Sequence, residues 1–244
     1  MSGKPSFAIG TAGWGIPAGF AADFAGLGSR LQRYARRLAA AEINSSFYRP
    51  HRPETYARWA ASVPDGFRFA VKLPKEITHT RRLADPDVVL DRFAAETAGL
   101  GDRLGPVLVQ LPPSLAFDAE VGRTFLVALR HRFAGAVACE PRHLSWFEPD
   151  ADALLRQFRV VRVAADPPRA PDGALPGGWP GLAYYRLHGS PRPYFSPYGR
   201  EDLESLTVRI RAHCVPVWCI FDNTGSGAAA GNALDLASRL AAGC

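Results

Sequence analysis

Eight short apolar runs punctuate the chain, at residues 7–11, 40–44, 67–73, 107–111, 136–140, 160–165, 183–188 and 217–221. Gly and Pro bound most of them, as they bound buried β-strands. Between the runs lie stretches with helical spacing. Leu31, Tyr34, Ala35 and Leu38 fall at i, i+3, i+4 and i+7. Val89, Phe93, Glu96 and Leu100 follow the same period, as do Phe125, Leu126 and Leu129, then Leu154, Leu155 and Phe158, then Leu203, Leu206 and Ile210. An Ala- and Leu-rich segment, 228–240, closes the series as a last helix. Strands alternating with helices predict a parallel α/β protein, and eight strands are the number that closes a (β/α)₈ TIM barrel. The 244 residues match the usual length of about 250 for that fold and are expected to form one domain, 1–244. The Pro- and Gly-rich stretch 166–180 is expected to be a long loop.

Strand phase sharpens the expectation, because alternate residues of a strand point to opposite faces. In six runs one face is apolar and the other mixed. The mixed faces carry Glu42 and Asn44; Arg68, Ala70 and Lys72; Ala138 and Glu140; Arg162, Ala164 and Asp166; Tyr184, Arg186 and His188; and Trp218, Ile220 and Asp222. The apolar faces suit packing against the helices, so the mixed faces are expected to line the interior. That places Arg68, Lys72, Arg162 and Arg186 against Glu42, Glu140, Asp166 and Asp222. Buried charges must pair. Arg68, Arg162 and Arg186 are read as structural pairs deep in the barrel. The residues at strand ends are read as functional, because barrel active sites gather at the C-terminal ends of the strands.

Composition changes this picture in one respect. Hydrophobic residues make up 47% and charged residues 21%, an ordinary globular balance, but the formal net charge is +6. Only Lys4, Lys72 and Lys75 are lysines; every other basic side chain is Arg. Arg favours bidentate contact with carboxylate and phosphate, so an anionic partner is expected, with biased genome composition as the competing account. The first seven residues hold no apolar signal core, and no apolar run reaches the ~20 residues of a membrane helix. Cys139, Cys214, Cys219 and Cys244 form no CxxC and no zinc spacing. They read as reduced thiols of a cytoplasmic protein, with Cys139 and Cys219 as packing residues.

The strand-end segments carry a family resemblance. They are Gly10-Thr11-Ala12-Gly13-Trp14, Glu42-Ile43-Asn44-Ser45-Ser46-Phe47-Tyr48, Phe69-Ala70-Val71-Lys72 followed by Ile77-Thr78-His79, and Leu108-Val109-Gln110-Leu111-Pro112-Pro113. Glu140-Pro141-Arg142-His143-Leu144-Ser145-Trp146, Arg186-Leu187-His188-Gly189 and Phe221-Asp222-Asn223-Thr224 complete them. Together, in this order, they resemble the YecE-like family, a bacterial and archaeal group of unknown function. The resemblance implies a TIM barrel and no particular reaction. One departure stands out: the family more often has Phe-Asn-Asn where this chain has Phe221-Asp222-Asn223.

Three chemistries suit these residues. Glu140, Arg142 and His143 after the fifth run would face His188 after the seventh, and carboxylate with imidazole supports general acid–base catalysis beside an anion-clamping Arg. Glu140, His188, Lys72 and His143 are the candidate catalytic residues. Trp14, Glu42, Asn44, His79, Gln110, Arg142, Arg186, Asp222, Asn223, Gly225 and Ser226 are the candidate substrate contacts. A second element is an anion site after the seventh and eighth strands, where 223–227 runs into an Ala-rich helix and Arg192 lies nearby. Its glycines form neither a P-loop nor a GxGxxG fingerprint. The third is a metal site: Glu42, Glu140, His143, Asp166, His188 and Asp222 are ligating types. No second His lies near either candidate and Lys72 and Arg142 compete for the carboxylates, so neither metal nor other cofactor is expected. His51, His131 and His213 are assigned no role. Tyr48, Trp146, Tyr194, Phe195 and Tyr198 fall in loops, where aromatics beside Arg stack bases or sugars or simply pack. The expectation is an enzyme, a hydrolase or isomerase, acting on an anionic, phosphate-bearing small molecule. Nucleic-acid binding, with or without metal-assisted cleavage, and noncatalytic ligand binding stay open as alternatives.

Overall fold

In the computed structural model, residues 6–242 are described; Lys4, Cys244 and the extreme N-terminus read above lie outside them. The first five strands follow the runs: β1 (Phe7–Ala12), β2 (Ala40–Ile43), β3 (Arg68–Lys72), β4 (Leu104–Gln110) and β5 (Val137–Glu140). They pair in parallel with their sequence neighbours, and β9 (Ala183–Leu187) and β10 (Val217–Phe221) continue the sheet back to β1. The sixth run departs from a single strand. It splits at Val163 into β6 (Val160–Arg162), which pairs with β5, and β7 (Ala164–Asp166), which pairs with β9. The barrel therefore closes through two half-strands. Below the split, the two-residue strand β8 (Gly177–Gly178) pairs antiparallel with β6. Gly178 has φ +65, and a Cβ there would lie 2.6 Å from the Val160 carbonyl oxygen.

Most of the helices fall where the spacing places them. The helices are α1 (Arg30–Ala35), a single turn α2 (Ser45–Tyr48), α3 (Pro53–Ala61), α4 (Asp87–Thr97), α5 (Ala119–Arg132), α6 (Pro149–Gln157), α7 (Arg200–Arg211) and α8 (Ala228–Ala241). Of these, α2 and α3 are additional to those the spacing predicts. Ser29 caps α1 through a capping box with Gln32, and Asp118 caps α5 by accepting from Glu120 N–H and Val121 N–H. No α-helix follows β7. Between β7 and β9 the chain is a loop with one 3-10 turn, Pro171–Ala174, and the two-residue strand β8. Among the described residues no helix is long and apolar enough to cross a membrane.

Two apolar clusters divide the molecule into layers. The larger lies between sheet and helices and contains the buried Cys139 and Cys219. The smaller fills the barrel: Ala40, Ala70 and Ala138 on one side, Tyr184, Trp218 and Ile220 on the other. The rings of Tyr184 and Trp218 stack at 6.2 Å and 7°. Small residues on β2, β3 and β5 thus leave room for two large rings from β9 and β10, keeping the interior filled. Gly105 yields to the same ring, since a Cβ there would stand 2.6 Å from the Trp218 edge.

The interior face is as expected on β2, β3, β5, β9 and β10, and is reversed in the sixth run. Val161 and Val163 join the barrel cluster, while Ala164 joins the outer one. Arg162 therefore points outward. Its Nε donates to Asp152 Oδ1 of α6 at 3.2 Å, and its guanidinium lies 4.8 Å from the Phe147 ring centroid. Asp166 is half-buried, and its backbone oxygen accepts from His188 N–H. Arg68 shares the interior phase but sits at the N-terminal end of β3, where it donates to the carbonyls of Asp65 and Phe67. None of these three enters a central ion network.

Candidate active site at the barrel mouth

The remaining charged residues converge at the C-terminal ends of the strands. Arg186 of β9 is 2% exposed and reaches across the barrel. Its Nε donates to both carboxylate oxygens of Glu42 at 3.1 Å, and Nη2 donates to Glu42 Oε1 at 2.6 Å. Nη1 donates to Glu140 Oε2 at 2.9 Å, and Nη2 also lies 3.1 Å from Asp222 Oδ2. One guanidinium thus serves carboxylates from β2, from β5 and from the residue following β10, which is what the planar fork of Arg permits. Tyr184, two residues earlier on the same face, donates its hydroxyl to Glu42 Oε2 at 3.0 Å. Burial and then the Glu42 charge push that hydroxyl far above its ordinary pKa, so it remains a donor.

His188 stands one layer higher. Its Nδ1 is 2.9 Å from Asp222 Oδ2 and its Nε2 is 2.8 Å from Glu140 Oε1. Arg142 Nη2 reaches the same Nε2 at 2.7 Å and also contacts Glu140 Oε1. With Nδ1–H donated to Asp222, Nε2 has two states: neutral, accepting from Arg142, or protonated, donating to Glu140. Burial alone would raise the Glu140 carboxyl, but Arg142, Arg186 and His188 together hold it well below the carboxylate range. Asp222 behaves alike: burial pushes it up, and the Arg186 charge and the His188 hydrogen bond bring it below its ordinary value. Both stay ionised on either side of the His188 ring.

Lys72, at the end of β3, lies over the Phe47 ring with Nζ 4.1 Å from its centroid. Phe47 also meets His79 edge-on at 5.0 Å, and His79 Nδ1 is 2.8 Å from Thr78 Oγ1. Trp14 packs edge-to-face on Trp59 and Phe69. With Glu42 and Asn44 it lines a cavity of about 230 Å³. Asn44 Oδ1 is buried there without a partner. An adjoining cavity of about 430 Å³ runs beneath Thr224, Gly225 and Ser226, and Arg30 borders both. Gln110, level with Glu140 in the sheet, donates to its neighbour's Leu111 carbonyl.

Other candidates stand apart from this cluster. His143 Nδ1 accepts from Ser145 N–H at 3.2 Å and caps the turn Leu144–Phe147. Asn223 is fully buried and donates to the Ser196 carbonyl and to Asn232 Oδ1, tying the loop after β9 to α8. Around the supposed anion loop, the backbone N–H groups of Gly225, Gly227 and Ala229 donate to the carbonyls of Tyr194, Thr224 and Asn223, and Ser226 Oγ donates to Phe195 O. Those groups are turned inward. Among the described residues no three His, Cys, Asp or Glu side chains are grouped as a metal cage, because Glu42, Glu140 and Asp222 wrap Arg186 instead.

Tyr184, Phe47 and Arg30 were not among the sequence candidates. Tyr184 was within reach of sequence reasoning, since it shares the phase of Arg186 and His188. Phe47 and Arg30 carry no such signal: a short turn and the first residue of a helix bring them to the mouth.

Comparison with known proteins agrees with this architecture. The chain is 32% identical to the YecE protein of Escherichia coli K12 over 142 residues, covering 56% of this chain and 52% of that protein, so the match spans about half of that relative's length. It is 24% identical to the YunF protein of Bacillus subtilis, covering 92% and 91% of the two chains. A crystal structure of a DUF72 family protein from Enterococcus faecalis superposes with a TM-score of 0.79 at 23% identity, over 96% of this chain and 95% of that one. A DUF72 family protein from Thermotoga maritima gives 0.75 at 25%, over 97% and 99%. The family model described as "Protein of unknown function DUF72" matches residues 8–243, and the chain belongs to that family.

Proposed function

We propose that the protein is an enzyme that acts on a small anionic molecule by acid–base chemistry at the barrel mouth. The observation that carries this reading is the chain Asp222–His188–Glu140, with Arg142 sharing His188 Nε2. Asp222 orients the ring through Nδ1, and Nε2 takes or delivers the proton. Glu140 stabilises the imidazolium when it forms. Arg142, released from Nε2 by that protonation, is then available to a phosphate or carboxylate. Arg186 and Tyr184 act beneath, holding Glu42 and Glu140 in place. Loss of a defined metabolite from a bacterial small-molecule extract, followed by mass spectrometry, tests this. Glu140→Gln and His188→Ala should each slow the loss by about a hundredfold or more. Equal depletion by wild type and both variants rejects the assignment.

A second reading has one observation in its favour. Tyr48, at the end of α2, and Tyr194 and Phe195, in the loop after β9, are exposed, and the Arg192 guanidinium lies 4.2 Å from the Phe195 ring centroid. Exposed aromatics beside Arg suit the bases of a single strand. Binding to a labelled oligothymidine that weakens steeply as salt rises supports it; no binding near physiological salt removes it.

A further inference from the structure

Lys72 is a cation at the mouth that no carboxylate among the described residues engages. Glu42, Glu140 and Asp222 are all turned onto Arg186. Among the described residues, Lys72 Nζ has no hydrogen bond and no ion pair; its close contact is the Phe47 ring face. The side chain is 9% exposed, buried enough to lose most of its hydration and open enough to be reached. Burial first, and then the Arg186 charge, draws its pKa down to about 8, although the three carboxylates pull the other way. An amine desolvated next to another cation is a nucleophile near neutral pH. Glu42, whose charge acts on Lys72, borders the cavity that also holds Trp14 and the unpartnered acceptor Asn44 Oδ1, so the same mouth offers a place for a small polar molecule.

We propose that Lys72 forms an imine with a small aldehyde or ketone that carries a carboxylate or phosphate. The inference rests on reading the mouth as an active site, and deepens it by naming the substrate class. The neutral amine attacks the carbonyl carbon, forming the C–N bond, and the carbonyl oxygen takes up a proton. The resulting carbinolamine loses that oxygen as water after a second protonation, while nitrogen gives up one of its hydrogens. The balance is amine plus carbonyl plus one proton, yielding iminium and water. His188 is the group that carries the protons, and the iminium then draws electrons from the bond next to the former carbonyl. Arg142, at His188 Nε2, and Arg30, at the edge of the cavity, are the cations assigned to hold the anionic end.

The chain's lysine count makes the test direct, because Lys4, Lys72 and Lys75 are the only lysines present. The protein is treated with glyoxylate, pyruvate or dihydroxyacetone phosphate and sodium cyanoborohydride, and the adduct is mapped by peptide mass spectrometry. The expected result is reduction onto Lys72, more than about tenfold faster than onto Lys75 at neutral pH, with a half-maximal rate near pH 8. Lys72→Arg, which keeps the charge, should abolish the fast phase. Equal rates at Lys72 and Lys75, or an unlabelled Lys72 with all three probes, overturns the proposal. If Lys72 stays unlabelled while metabolite loss still depends on Glu140 and His188, the imine falls and the acid–base reading stands. If Lys72 stays unlabelled and metabolite loss is indifferent to Glu140 and His188, both fall.

Discussion

Arg186 illustrates how much one side chain can organise. It is buried, and its charge is balanced only because three carboxylates from separate parts of the chain meet it. Removing one member of such a group leaves the others buried and uncompensated, which costs about 3–5 kcal/mol. Arg186→Leu is therefore expected to lower unfolding stability by that amount in a urea titration. A loss below about 1 kcal/mol would mean that water reaches the carboxylates and screens them. Residue-level reasoning anticipated the partners Glu42, Glu140 and Asp222 from strand phase. It also placed Arg68 and Arg162 among them, and both are elsewhere: one at the wrong end of its strand, the other on the wrong face.

At the scale of elements, close approach of β1 and β2 depends on Gly10. A Cβ there would stand 1.9 Å from the Ala40 carbonyl oxygen, and backbone cannot step aside as a flexible side chain does. Gly10→Ala is expected to cost about 3 kcal/mol by chemical denaturation, and a neutral result would show that the two strands separate easily. The loop after β9 has a different function. Tyr194 holds a left-handed backbone, φ +70, and sets its ring 5.7 Å from that of His188. It caps a residue that is only 1% exposed. Tyr194→Ala should uncover His188 and raise its modification by diethylpyrocarbonate severalfold; an unchanged rate would show that access runs by another route. Helical spacing located α1 and α4–α8, but not the single turn α2, nor α3, of whose residues only Tyr56 is buried. The reversed face of the sixth run escaped sequence reading for a different reason. Arg162 and Asp166 made one face of this run look mixed and hence interior, but Arg162 finds its partner Asp152 on the helix side, which alternation cannot foresee.

For the molecule as a whole, the mouth cluster makes stability dependent on acid. Glu140 and Asp222 have folded pKa values below their ordinary ones. A carboxylate so depressed contributes stability that is fully present above its unfolded value, near 4.5 for Glu140, and is lost as pH falls through the folded value. The urea midpoint should therefore hold steady above about pH 5 and drop below it, and the Glu140→Gln variant should drop less. Parallel curves for the two proteins would remove Glu140 from the account.

The sequence by itself determined the eight apolar runs of the barrel and their parallel order, most of the helices, and the interior phase in five of the six runs with a mixed face. These are local properties: period and the contrast between faces are written in a few adjacent residues. Tertiary structure decided the rest. Closure through two half-strands depends on which neighbours each half meets. The pairing of Glu42, Glu140 and Asp222 on one guanidinium, and the Lys72 amine left aside by it, depend on distances across the barrel between residues up to 180 positions apart. No local pattern encodes such distances, because they arise only when the sheet curls and brings its strand ends to one mouth.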